Sequence, residues 1–277
     1  MDGAELTCIV HVHSVYSDGT GTVAEIAAAA ARTGADVVVV TDHDDTRAAA
    51  EAGWRDGVLV AAGHEISPGH GSHTLALGVP RPVRHRGRPL AAVLDEVHAA
   101  GGLAFAAHPF SRGGWLLGRA GRAAPFGDLR LGVDGIELWS LVTDTLEHLH
   151  SPWRLLRFAR DPDAVLADPP AANLAAWDAI GARRRMPAIA GLDAHQYGIR
   201  RGGRVVVRTM PYERTFALLR PHVVLDAPPT GDAAADTAAV GAAMAAGRAF
   251  LARDSLADAT GFRFGAAGGG PRMGGEA

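Results

Sequence analysis

The sequence predicts an α/β protein built on a mostly parallel sheet, open or closed. Two observations carry that prediction. Short apolar runs rich in Val, Ile and Leu alternate with Ala-rich stretches along most of the chain, as strands alternating with helices do. The run from Val37 to Thr41 is continuously apolar up to its last residue, the character of a strand covered on both faces. A length of 277 residues suits one large domain, and 48% hydrophobic with 21% charged residues is enough to bury a sizeable core.

Leu6 to Val12 reads as the first strand. Thr22 to Arg32 reads as a helix, because Thr22 and Glu25 form a Thr-x-x-Glu capping box before an alanine-rich run. Strands are expected at Val37 to Thr41, Val58 to Ala62 and Thr74 to Leu77, where β-branched and leucine side chains cluster. Leu90 to Ala100 reads as a helix, Leu103 to Ala107 and Val133 to Leu138 as strands. A helix at Asn173 to Arg185 then precedes a short strand at Pro187 to Gly191. Trp139 to Pro170 is less regular and is expected to form a lid or rim. Further on come a strand at Val205 to Val207, a helix at Pro211 to Leu219, a strand at Val223 to Leu225 and a helix at Ala233 to Gly247. Residues 5–210 form the expected main domain and 211–265 its C-terminal part or a small extension. Residues 266–277 read as a flexible glycine-rich tail.

Composition narrows the function. A formal charge of −3 gives no reason to expect a stable nucleic-acid partner or an anionic membrane surface. The one cysteine, Cys8, excludes an internal disulfide and a cysteine-rich zinc site. All 27 basic residues are arginine, so there is no lysine for Schiff-base chemistry or a P-loop. No Gly-x-Ser-x-Gly is present, which argues against a serine hydrolase. No run approaches the ~18 apolar residues of a membrane span, and no basic leader precedes the first strand, so a cytoplasmic protein is expected.

Thirteen histidines remain, and their placement is informative. His11, His13, His43 and His108 fall at the ends of expected strands, Glu65 follows one, and Asp193 and His195 follow another. Asp18 lies in the loop after the first strand, and His73 precedes the strand Thr74 to Leu77. Strand C-terminal ends are where parallel α/β folds gather their sites, so His73 is the exception and must reach in from the start of its segment. In an extended chain His11 and His13 project to one side, as do Asp193 and His195. Mixed imidazole and carboxylate ligation suits divalent ions such as Zn, Mn or Fe, and Glu65 or Asp193 can bridge two of them. His70 is a second candidate for the place of His73, and His64 flanks the Glu65 segment; His85, His98, His148, His150 and His222 read as surface or rim residues. Asp42 is a candidate to orient a ligand histidine, and Asp44 to cap or be solvated. Glu137, Arg112, Arg200 and Arg201 are candidate substrate-binding residues. Trp115, Trp139 and Trp153 are expected to pack.

These residues resemble a known family, the PHP (polymerase and histidinol phosphatase) proteins. His11-Val-His13-Ser14, Ser17-Asp18-Gly19 and Thr41-Asp42-His43 look like its first two motifs. Gly63-His64-Glu65-Ile66-Ser67 and the strand from His73 resemble the next, and His108-Pro109 and Gly191-Leu-Asp193-Ala-His195 the last two. The resemblance implies a distorted (β/α)7 barrel and three metal positions. One would be held by His11, His13, Glu65 and Asp193, a second by Glu65, His73 and His108, and a third by Asp18, His43 and His195. It implies a metal-dependent phosphoesterase acting on a small phosphorylated molecule or nucleotide, with Glu65, Asp193 and His195 as catalytic candidates. A PHP-type hydrolase of carboxylic or carbamate esters and a non-catalytic regulatory module are the alternatives.

Overall fold

The computed structural model describes residues 3–69, 71–112, 125–149, 151–166, 168–202, 204–208, 210–265 and 273–275. His70, Trp115, His150 and most of the glycine-rich tail lie outside the described residues. The chain begins with β1 (Glu5–Val12), α1 (Val23–Arg32) and β2 (Val37–Val40). Thr22 caps α1 through the expected box: its hydroxyl accepts from Glu25 N (3.2 Å), while Glu25 Oε2 accepts from Thr22 N (2.8 Å). The strands β3 (Gly53–Arg55), β4 (Val58–Ile66) and β5 (Thr74–Leu77) follow, then α2 (Leu90–Ala99), β6 (Leu103–Ala106) and β7 (Gly135–Ser140). Three helices, α3 (Leu141–His148), α4 (Pro152–Arg160) and α5 (Pro162–Val165), replace the irregular rim expected there. The overlooked start signal for α4 is Ser151, whose hydroxyl accepts from Arg154 N, with Pro152 in the first turn. Next come α6 (Ala171–Gly181), β8 (Ala188–Gly191), and the hairpin of β9 (Gly198–Arg201) and β10 (Arg204–Arg208). The chain continues through α7 (Tyr212–Phe216), β11 (Arg220–Val224), α8 (Ala233–Ala245) and β12 (Ala249–Ala252).

The main sheet runs β12-β11-β1-β2-β4-β5-β6-β7-β8, with β3 beside β4. Beyond β8 the chain returns to β1. Leu192 N donates to Val10 O (2.9 Å), Ala194 N to His11 O (3.1 Å) and His13 N to Ala194 O (2.9 Å). Those bonds bring β1, β2 and β4 to β8 into a nearly closed, distorted seven-stranded barrel. The sheet is more mixed than the sequence suggested. β1–β2, β2–β4, β6–β7 and β7–β8 are parallel, but β5 is antiparallel to both β4 and β6. Only residues 67–73 separate β4 from β5, too few for the helical crossover that a parallel pair needs.

Alternation along the strands separates an inward cluster from two outward ones, the second formed by Ile66, Ala76, Ala104 and Ile136 with α2. Ile9, Val38, Val40, Val58 and Val60 pack outward with α1 and α7. Cys8, Val10, Val37, Val39, Leu59, Ala61, Leu75, Leu77 and Phe105 form one inward cluster, joined by Val240, Ala243 and Met244 of α8. Gly241 of α8 lies against Leu103 at the start of β6, so α8 packs at the end of the barrel opposite the strand C-termini. Residues 211–265 thus add two strands to the main sheet and a helix across that end of the barrel. No helix among the described residues is long and apolar enough to cross a membrane.

Candidate metal centre

Glu65 shares the parity of Leu59 and Ala61 on β4 and therefore points into the barrel, near the strand's C-terminal end. Because β5 runs antiparallel, its beginning lies at that same end, and this brings His73 to Glu65. The apparent exception in the sequence follows from strand direction. His11, His108 and Asp193 have positive φ (66°, 30° and 51°), a conformation uncommon for residues other than glycine. At His11 the register between β1 and β2 also shifts, so the two histidines of the first strand do not simply alternate in an extended chain. Local backbone strain of this kind concentrates where surrounding structure holds functional side chains.

Three groups of side-chain atoms able to ligate a metal result. His11, His13, Glu65 and Asp193 form one; Glu65, His73 and His108 another; His13, Asp18, His43 and His195 the third. Across the first group, His11 Nε2 and His13 Nε2 lie 3.4 and 3.5 Å from Glu65 Oε2, and 3.5 and 3.3 Å from Asp193 Oδ1. Ligands ~2.1 Å from a tetrahedral ion stand ~3.4 Å apart, so this spacing fits a cation among them. His11 Nε2, His13 Nε2 and Glu65 Oε2 are buried and lack a well-formed hydrogen bond among the described residues, as atoms reserved for a cation would. In the second group Glu65 Oε1 lies 2.8 Å from His73 Nδ1 and 3.1 Å from His108 Nε2. The third is wider and more open. Asp18 lies 3.2 Å from His195 Nε2 and 3.7 Å from His43 Nε2, with its side chain 56% exposed.

The charges are mutually dependent. Burial would raise the carboxyls of Glu65 and Asp193, but the surrounding imidazoles hold both well below the usual range. Burial alone would depress His43, yet Glu65, helped by Asp18 and Asp193, carries it up to about 9. His13 goes the other way, down to about 3, through burial and the neighbouring His195. A donor set this rich in carboxylate and imidazole suits divalent cations.

Supporting residues surround the groups, and of these Ser67 and Tyr212 carry no signal of that role in the sequence. Asp42 accepts from Ser14 N and Ser14 Oγ (both 2.7 Å) and from Ser17 Oγ (2.6 Å), so it fixes the loop carrying Asp18 instead of touching a ligand histidine. Ser67 Oγ lies 2.6 Å from His43 Nδ1, and Asp44 accepts from Ser67 N (3.1 Å) and pairs with His85 (3.0 Å). Tyr212 donates its hydroxyl proton to His13 O (2.7 Å) and accepts from Gly21 N (3.3 Å), tying α7 to the site. Local patterns rest on neighbours in sequence, and these contacts span 23 to 199 positions.

Some expectations need correction. Glu137 does not face substrate: it is fully buried, with Oε1 2.8 Å from His11 Nδ1 and Oε2 accepting from His108 N (2.6 Å). His222 is not a surface residue but buried between Glu5 (2.8 Å) and Asp254 (3.1 Å). Trp153 does not pack; it is 79% exposed on α4, whereas Trp139 is buried as expected. Arg112 is exposed, its backbone N bonded to Glu147. Arg200 and Arg201 lie on β9, Arg201 with an exposed side chain; the side chain of Arg200 is outside the described atoms.

Comparison with known proteins adds to this geometry. No family model matches the chain. The phosphoribosyl 1,2-cyclic phosphate 1,2-diphosphodiesterase of Eggerthella lenta is 39% identical over 98 residues, 32% of this chain and 37% of that one. The match thus spans little more than a third of that relative's length. Among solved structures, a two-domain Bacteroides vulgatus protein containing a predicted PHP-like metal-dependent phosphoesterase aligns with a TM-score of 0.50 and 16% identity, over 91% of this chain and 66% of that one. The fold is that of the PHP proteins. PsfC from Pseudomonas syringae PB-5123 aligns with a TM-score of 0.53 and 14% identity, over 90% and 91% of the two chains. On this PHP barrel the side chains that resemble the family's motifs are the ones that meet at the strand ends.

Proposed function

We propose that the protein is a metal-dependent phosphoesterase that hydrolyses a phosphate mono- or diester of a small molecule or nucleotide. One observation carries this reading: nine side chains scattered over 185 positions converge in three groups that share Glu65 and His13. In it, His11, His13, Glu65 and Asp193 hold one divalent ion, Glu65, His73 and His108 a second, and Asp18, His43 and His195 a third. Zn, Mn and Fe all suit these ligands. When bound, such ions supply a water of lowered pKa and offset the charge that builds on the phosphoryl oxygens.

The chain's own residues provide position. Glu65 has one oxygen toward each of two groups, Oε2 toward His11 and His13 and Oε1 toward His73 and His108, and so acts as the bridge. Asp193 faces His11 and His13 while its backbone carbonyl lies 2.8 Å from His195 Nδ1, which turns His195 Nε2 toward Asp18. Substrate enters over Asp18 and His43, the most exposed of these ligands.

Beyond His195 the β9–β10 hairpin carries Arg200, Arg201, Arg204 and Arg208 and no acidic residue. Arg201 and Arg204 are paired directly across it. Like charges opposite one another destabilise a ribbon, and an anion between them offsets the cost. We assign this arm, with Arg112, to the non-reacting part of the phosphorylated substrate. The resemblance to phosphodiesterases supports hydrolysis of phosphate over a carboxylic ester.

The test uses Mn²⁺-reconstituted protein with p-nitrophenyl phosphate, bis-p-nitrophenyl phosphate and p-nitrophenyl acetate. Turnover of a phosphate ester is expected. Turnover of the acetate alone would favour the carboxylic-ester reading, and turnover of none, with metal bound, a regulatory module.

A further inference from the structure

Glu137 and Thr143, outside the nine ligand side chains, stand together at the β7–α3 corner. Glu137 accepts the Nδ1 proton of His11 on one oxygen and the backbone N–H of His108 on the other (2.8 and 2.6 Å). The neighbouring strand is shaped to admit it. A Cβ at Gly191 on β8 would fall 1.7 Å from Glu137 Oε1, so only glycine leaves room for the carboxylate there. Thr143 donates to Asp193 Oδ2 (2.5 Å), which leaves Oδ1 toward the Nε2 atoms of His11 and His13. The corner is itself anchored: Val142 N donates to Leu192 O (3.1 Å) and Ser140 N to Asp144 Oδ2 (2.9 Å). Among the described ligand histidines, His11 alone has behind its ring a carboxylate that is not itself a proposed ligand.

We infer that this corner makes the buried position of His11, His13, Glu65 and Asp193 the tightest cation site, through two positioning residues. The inference rests on the reading of the cluster as a metal centre. A ligating imidazole uses one nitrogen and carries its proton on the other. Glu137, by accepting at Nδ1, fixes the tautomer and leaves the Nε2 lone pair facing the centre. Thr143 does the corresponding work for Asp193: it occupies one oxygen so that the other stays on the cation side. Neither residue touches substrate. Their effect is on how well the ligand atoms are held before an ion arrives. The wider third group, around exposed Asp18, has no such backing carboxylate and fills last.

The test is a titration of Mn²⁺ into chelator-stripped protein, followed by calorimetry and by electron paramagnetic resonance of free Mn²⁺. It compares wild type with Glu137→Gln, Thr143→Val and Thr143→Ser. The tightest dissociation constant is expected to rise ~10- to 100-fold in Glu137→Gln and in Thr143→Val, on the scale of lost outer hydrogen bonds to metal ligands. Thr143→Ser, which keeps the hydroxyl, is expected to stay near wild type, and the weaker sites to be unchanged in both Thr143 variants. Loss of helicity in Glu137→Gln would leave the Thr143 pair to decide. If Thr143→Val binds as tightly as wild type, or Thr143→Ser is as weak as Thr143→Val, the assignment is overturned. A wild-type protein that binds no Mn²⁺ would instead defeat the metal-centre reading on which it rests.

Discussion

Glu65 is the residue on which the account turns. It is fully buried, lies against His11, His13 and His43 with one oxygen and against His73 and His108 with the other, and so touches all three groups. Glu65→Gln removes a charge between two cations, so one ion is expected to be lost and turnover to fall at least ~100-fold. Elemental analysis beside steady-state kinetics checks both, and near-normal turnover would mean that another residue is the bridge. Asp144 offers a pH test that does not depend on the ligands. Burial pushes its carboxyl up from 3.8 to about 7; Ser140 N–H opposes the rise, and Glu137 and Glu147 add to it. A carboxyl raised in the fold stabilises it while protonated, fully below about 3.8, and that contribution is lost as pH climbs through about 7. Urea unfolding of stripped protein should therefore show wild type losing stability against Asp144→Asn between those values, by at most about 1.4 kcal/mol per pH unit. Parallel profiles would show that Asp144 titrates normally. At this scale the side chains that cluster were legible, because histidine and carboxylate at strand ends are a chemical signal. Glu137 was misjudged and Thr143 missed, since nothing local in sequence says that β7 and α3 meet His11 and Asp193.

Elements place these residues, and strand direction matters as much as strand existence. The antiparallel β5 delivers His73 from its first turnward residue, which a mostly parallel sheet could not do. The strands themselves were readable from apolar runs such as Val37 to Val40 and Val58 to Ala62. β9 and β12 were not, because Gly198-Ile-Arg-Arg201 is too polar and Ala249-Phe-Leu-Ala252 too short to stand out from loop or helix. The β9–β10 hairpin gives a prediction of its own. Arg201→Ala and Arg204→Ala, made together, should lower kcat/KM on the best phosphate substrate by ~10- to 100-fold, chiefly through KM, with metal content unchanged. Lysine at both positions should recover part of the loss, since it keeps charge without the planar fork. Kinetics equal to wild type would make the hairpin a solvated edge.

The whole barrel couples folding to the centre. The closure from β8 to β1 runs through His11, His13 and Ala194, so the hydrogen bonds that close the sheet are made by residues of the cluster and their neighbours. Ions that bind only the folded chain at about 100 times their dissociation constant add about 2.7 kcal/mol. For a chain of this size, EDTA should then lower Tm by about 5–10 °C. Calorimetry with and without chelator reads this, and an unchanged Tm would detach the cluster from the fold's stability. The barrel was foreseen only through resemblance, because alternation of strands and helices fits open and closed sheets alike. Elemental analysis of protein purified without chelator and reconstituted with Mn²⁺ reads out whether the nine convergent side chains make a multinuclear centre. Two to three ions per chain are expected, with the one nearest Asp18 most easily lost; one ion or none after reconstitution would contradict the account.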